Sequence, residues 1–155
     1  MNAIAKAEPT VIQAPQAERI RASSPVLRGQ YPKSHEEAEH AKRLIDQFDT
    51  KADQRWIAQR AVKFLAGHYF VAEMAEPVAE QIGRDWTMEL SGLPDWAIEA
   101  AFSWWISRHN PKRAKKPLPG DISERAHIEA AMISTGRKQV EFFERYGNNP
   151  PAFLK

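Results

Sequence analysis

The chain is 155 residues long, 43% hydrophobic and 27% charged, with a formal net charge of +2 and no cysteine. That is one domain of ordinary globular composition, which excludes wholesale disorder, a collagen-like repeat and a chain built of membrane spans. The missing thiols exclude disulfides, thiolate catalysis and cysteine-ligated zinc.

Residues 1–33 carry Pro9, Pro15, Pro25 and Pro32 among Ala, Gln, Ser and scattered charges, with no helical or strand period. Such a stretch is expected to be a flexible, disordered N-terminal arm, because it has too little apolar area to offset the entropy of ordering it. Removing residues 1–30 is then expected to leave the remaining fold intact. The apolar pieces Val11-Ile12 and Val26-Leu27 are its candidates for folding onto a partner.

Order is expected to begin at Ser34, where Ser34 and Glu37 have the spacing of a capping box. A charged surface helix follows to about Asp49, with Ala38, Ala41, Leu44, Ile45 and Phe48 as its apolar stripe. Asp53 caps a second helix whose core face holds Ile57, Ala61, Phe64, Leu65, His68 and Ala72. Pro77 suits the first turn of a third, with Val78, Ile82, Trp86 and Leu90 inward. Gly92 and Pro94 then punctuate the entry to a fourth helix, Asp95 to about Arg108. It is apolar nearly all round, interrupted only by Glu99, Ser103 and Ser107, and is therefore the central helix.

After a loop over 110–120 marked by Pro111, Pro117 and Pro119, Asp121 and Glu124 are placed to cap the longest helix, to about Tyr146. Gly136 lies inside it at a cost of about 1 kcal/mol relative to Ala, which points to a close helix crossing or a bend. Gly147-Asn148-Asn149-Pro150-Pro151 stops that helix. The expected architecture is all-α: a compact bundle of about five helices over 34–147, the arm at 1–33 and a loose tail at 148–155.

No catalytic constellation emerges from the residues. His35, His40, His68, His109 and His127 never take the i, i+4 spacing of helical zinc hydrolases, and His68 lies on an apolar stripe that suits a hydrogen-bonded core histidine. A phosphate-cradling glycine loop and a nucleophile elbow are both missing. Pairs such as Glu36-Glu37 lie on a charged, solvated helix face. A non-enzymatic protein without cofactor or metal is expected, and with no apolar run of about 18 residues and no signal core it is expected to be cytoplasmic, with no membrane partner.

The sharpest signal is electrostatic. Residues 108–116 read Arg-His-Asn-Pro-Lys-Arg-Ala-Lys-Lys, so five cations and no acid fall in nine residues and the rest of the chain carries a net −3. Arg108, Lys112, Arg113, Lys115 and Lys116 are therefore the candidate contacts to a protein partner or to nucleic acid, against the alternative of a merely solvated loop. Trp104 and Trp105 precede the loop, and the apolar character of their helix favours packing over exposed base stacking.

Leu93-Pro94-Asp95-Trp96 through Trp105, followed by Lys116-Pro117-Leu118-Pro119-Gly120-Asp121-Ile122, resembles an element of small phage and prophage replication proteins: a Pro-initiated helix with late aromatics, a basic loop, and a Pro-x-x-acid-Ile helix start. In this the chain is similar to the replicative-helicase loader and inhibitor group over about 30 residues. The resemblance implies a small helical accessory protein whose partner is a replicative DNA helicase or another nucleic-acid enzyme. Two alternatives stand beside it. One is a direct DNA- or RNA-binding protein using the 108–116 loop; the other is an inhibitor of a host nuclease or CRISPR effector in which acidic helices around Glu36 to Glu39 mimic phosphates. The oligomeric state is left open.

Overall fold

A computed structural model describes residues 15–69 and 75–154. Over these residues the chain forms an all-α bundle of six helices: α1 Gln16–Ser23, α2 His35–Phe48, α3 Gln54–His68, α4 Glu76–Leu90, α5 Asp95–Trp105 and α6 Pro119–Tyr146. Single 3₁₀ turns occur at Val26–Arg28 and Ala152–Leu154.

Local chemistry explains most helix ends. The Ser34 hydroxyl accepts from the Glu37 N–H at 3.1 Å. Only that half of the expected box forms, for Glu37 turns inward and its Oε1 is covered without a hydrogen-bond partner. Asp53 caps α3 by accepting from Trp56 N–H at 3.0 Å. Helix α6 begins two residues before Asp121, because Pro119 supplies the preset first turn and the Asp121 carboxylate reaches back to the Leu118 N–H at 2.8 Å. Asp121 thus caps from the third helical position. Helix α5 stops at Trp105, short of Arg108, where Ser107 folds back on the Trp104 carbonyl through its N–H at 3.0 Å and its hydroxyl at 2.7 Å.

The core has two main parts joined by the central helix. One gathers Phe64, Trp86, Leu90, Phe102, Trp105 and Ile122 from α3, α4, α5 and α6. The other gathers Ala17, Ile20, Leu27, Ile45, Trp96 and Ile133, so α5 contributes to both. The aromatic surplus is therefore largely packing: Trp86, Trp96 and Trp105 are buried, and Phe64 stacks on Phe102 with centroids 4.4 Å apart. Glu99, on the polar stripe of α5, accepts from both Nε and Nη2 along one edge of the Arg60 guanidinium from α3.

The flexible-arm reading is corrected for residues 15–33; residues 1–14 lie outside those described. Ala17, Ile20, Val26 and Leu27 are all buried, and the segment closes on itself through Gly29, whose φ of 89° is the left-handed turn a glycine accepts. Leu27 lands on Gly136 of α6: a Cβ there would stand 2.5 Å from Leu27 Cδ2 and 3.6 Å from Leu27 Cα. Of the helix crossing or bend expected at Gly136, the structure shows a close approach, made not by a second long helix but by the 3₁₀ turn of the segment read as an arm. Composition misled because a segment need not carry its own long period when the bundle supplies a matching depression. Polar ties complete the attachment, with His40 Nε2 at 3.0 Å from the Ser23 carbonyl and the Tyr31 hydroxyl donating to the Gly147 carbonyl at 2.6 Å.

Two smaller expectations also change. Helix α3 ends at His68, which is exposed and packs at a tilt against Phe64 instead of lying in the core. Ala72 lies outside the described residues. Val78 is half-exposed at the start of α4, since only Trp86 and Leu90 of that helix are fully buried.

Candidate polyanion-binding loop

Between α5 and α6 the chain makes a sequence of tight turns, with Asn110 N–H bonded to the Ser107 carbonyl at 3.1 Å, Arg113 N–H to Asn110 at 3.2 Å and Lys115 N–H to Lys112 at 2.9 Å. Local polar chemistry dictates the first turn. Asn110 is only 2% exposed; its Nδ2 donates to the Trp105 carbonyl at 2.7 Å and its Oδ1 accepts from the Lys112 N–H at 3.0 Å. The side chain thereby satisfies the carbonyl left open at the end of α5, while Pro111 prevents any continuation of the helix.

Two aromatic residues then hold the far side. The Trp105 indole N–H donates to the Lys115 carbonyl at 2.9 Å, and the Tyr69 hydroxyl, from the end of α3, donates to the Arg113 carbonyl at 2.9 Å. Arg113 adds a bond from Nη1 to the Arg108 carbonyl at 3.3 Å. Pro117 is buried, pinning the exit of the loop at the start of α6. Each bond of this kind is worth about 1 kcal/mol net, enough together to offset the screened repulsion among five exposed cations.

The candidate residues are thus brought together on one short segment. Arg108, Lys112, Arg113, Lys115 and Lys116 are all exposed, and among the described residues none is engaged in an ion pair. Such an arrangement fixes the backbone while leaving the charged ends of Arg108, Lys112, Lys115 and Lys116 exposed to meet an anionic surface, with Arg113 held by its bond to the Arg108 carbonyl. Desolvation by burial, countered by the neighbouring Trp105, raises the Tyr69 phenol above its ordinary value, so it remains a donor to the loop through the neutral range.

Trp104 is half-buried, in edge contact with Trp105, and one face of its indole is covered by the Arg125 guanidinium 4.6 Å from the ring centroid. Arg125 is in turn fixed by Glu129, which accepts from its Nε at 3.0 Å and its Nη2 at 2.8 Å, and from Arg21 of α1 at 3.2 Å. Trp105 therefore braces the loop directly, while Trp104 packs against Trp105 and Arg125. Sequence reasoning located the cations but missed Tyr69 and Asn110 as the residues that position them. The Asn110-Pro111 dipeptide was the available signal, since it favours turn initiation; nothing local to Tyr69 announces a contact 44 residues away.

The acidic side of α2 does not form an uninterrupted anionic face. Lys42 lies 3.6 Å from Glu39 and 2.8 Å from Glu144, and His35 lies 4.0 Å from Glu39. Among the described residues, no group of three His, Asp or Glu side chains is placed to hold a metal ion, and no helix is long and apolar enough to cross a membrane. No family model, curated protein or solved structure matches the chain.

Proposed function

We propose that the chain is a non-enzymatic accessory protein that attaches to a nucleoprotein machine, a replicative DNA helicase engaged on its DNA, with the 108–116 loop as its contact to the polyanionic surface. The observation that carries this reading is the loop itself: five exposed cations without an acid, on a backbone tied down by Asn110, Trp105 and Tyr69. Preorganisation lowers the ordering cost of binding, and clustered cations gain from the release of counterions from phosphate. The helicase itself is suggested by the likeness of the 93–122 segment to phage replication proteins.

The test is a titration against fluorescently labelled single-stranded DNA and against the helicase with its DNA, at a series of salt concentrations. If all five cations meet phosphates, the plot of log affinity against log salt has a slope of up to about −3.5 on a single strand. Reversing the charge of Lys112, Arg113, Lys115 and Lys116 lowers affinity at least tenfold and flattens that slope. Tight binding to DNA alone, unaffected by helicase, would make this a direct nucleic-acid binder. A flat salt response in the parent protein sinks both readings.

A further inference from the structure

A groove of 1370 Å³ runs between α3 and α4, away from the loop residues that carry the proposed function. Its floor is narrow because small residues let the helices approach: a Cβ on Gly83 would stand 3.8 Å from that of Ala58, and Ala66 and Ala79 line the same trough. Apolar side chains stand open along it, Val62 at 51% exposure and Met88 at 78%, with half-buried Trp56 at one end. Unpartnered methionine and valine beside a trough of small residues make an apolar contact surface that water solvates poorly.

The charged rim is one-sided. Arg55, Lys63 and Arg84 are exposed around the trough, with Glu80 as the acid, whereas Arg60 is already taken by Glu99. We propose that this groove is the docking site for an acidic amphipathic helix of a protein partner. The volume exceeds the roughly 300–1,000 Å³ of small-molecule pockets, and walls of 15 residues, about 22 Å long, suit a helix laid in the trough with anchors at i, i+3, i+4 and i+7. Acidic residues flanking those anchors meet the three cations. A second copy is disfavoured by the same charges, since an isologous contact would set a basic rim against a basic rim.

The probe is an acetylated, fluorescein-labelled peptide of about fifteen residues, with leucines at those four anchor positions and glutamates on both flanks; a control carries lysines in place of the glutamates. Anisotropy with the full chain is expected to show saturable binding of the acidic peptide and at least tenfold weaker binding of the basic one. Amide shifts in a nitrogen–proton correlation spectrum should centre on Ala58, Val62 and Gly83. Val62→Glu and Met88→Glu change exposed side chains, leave the fold intact by circular dichroism, and are expected to weaken binding at least tenfold. Reversing Arg55, Lys63 and Arg84 should switch preference to the basic peptide. The proposal is overturned if neither peptide binds, or if both bind equally. It is overturned too if binding vanishes on charge reversal of the 108–116 loop yet survives the groove variants, or if sedimentation shows a dimer that Met88→Glu dissociates.

Discussion

Replacing Gly136 by Ala tests the docking of residues 15–33 most directly, because the structure reverses the sign expected from helix propensity. At an open position inside a long helix, Gly→Ala stabilises by about 1 kcal/mol. Here the added methyl would stand 2.5 Å from Leu27 Cδ2 and 3.5 Å from Ile45 Cδ1, and the buried Leu27 side chain has little room to turn its terminal methyl away. Overpacking of this kind costs about 1–3 kcal/mol, so after the propensity gain Gly136→Ala should be destabilising by about 0–2 kcal/mol. Leu27 is 2% exposed, and Leu27→Ala should cost about 2–5 kcal/mol by leaving a cavity. In the Leu27→Ala background the obstructing methyl is gone, and Gly136→Ala becomes stabilising by about 1 kcal/mol. The double-mutant cycle therefore has a coupling energy of about 1–3 kcal/mol, measurable by urea unfolding followed by circular dichroism. If Gly136→Ala stabilises both backgrounds equally, Leu27 does not lie against Gly136 and the corrected assignment of residues 15–33 fails.

Asn110→Ala strands the Trp105 carbonyl and the Lys112 N–H, and should cost about 1–3 kcal/mol while accelerating amide exchange at Lys112, Arg113 and Lys115; unchanged exchange would mean that the loop is not held from Asn110. Tyr69→Phe tests the other anchor through pH. Because the folded phenol titrates above its ordinary value of 10.0, its contribution to stability is fully present below that value and is lost as pH rises through the folded one. The parent should exceed the variant in stability by a constant margin up to about pH 10, and the margin should shrink above it in chemical denaturation; a margin independent of pH up to alkaline unfolding contradicts the desolvation of this phenol in the folded chain. Glu129 is 8% exposed and accepts from both Arg21 and Arg125, so Glu129→Gln should destabilise by about 1–3 kcal/mol. The same change should release Arg125 from Trp104, altering indole fluorescence; an unaltered emission maximum and midpoint would show the trio to be inconsequential.

The helices of the main bundle could be read from the chain because their signals are local. Ser34, Asp53, Pro77 and Gly92 act within a turn or two of themselves, and apolar residues recurring at helical spacing mark which face is buried whatever lies opposite. The charge of the 108–116 segment was legible for the same reason: a run of cations without acids is a property of nine consecutive residues. The five nominated cations do share one exposed segment, and the surplus of tryptophan does serve mainly the core.

Contacts between residues distant in the chain decided the rest. Residues 15–33 look like a solvated tail by composition, yet they are ordered because Gly136, more than a hundred residues later, leaves room for Leu27. Gly136 was visible as a costly residue with no local use, the imprint of a neighbour that sequence spacing could not name. The loop likewise owes its fixed shape to Tyr69 at the end of a different helix, and the groove between α3 and α4 exists only once Gly83 meets Ala58. Sequence alone determined the helical class, the caps at Ser34 and Asp53 and the place of the basic charge, since each depends on neighbours along the chain. Only the tertiary structure decided whether a segment is tail or wall and whether a charged loop is slack or held, because both turn on surfaces that come together after the chain has folded.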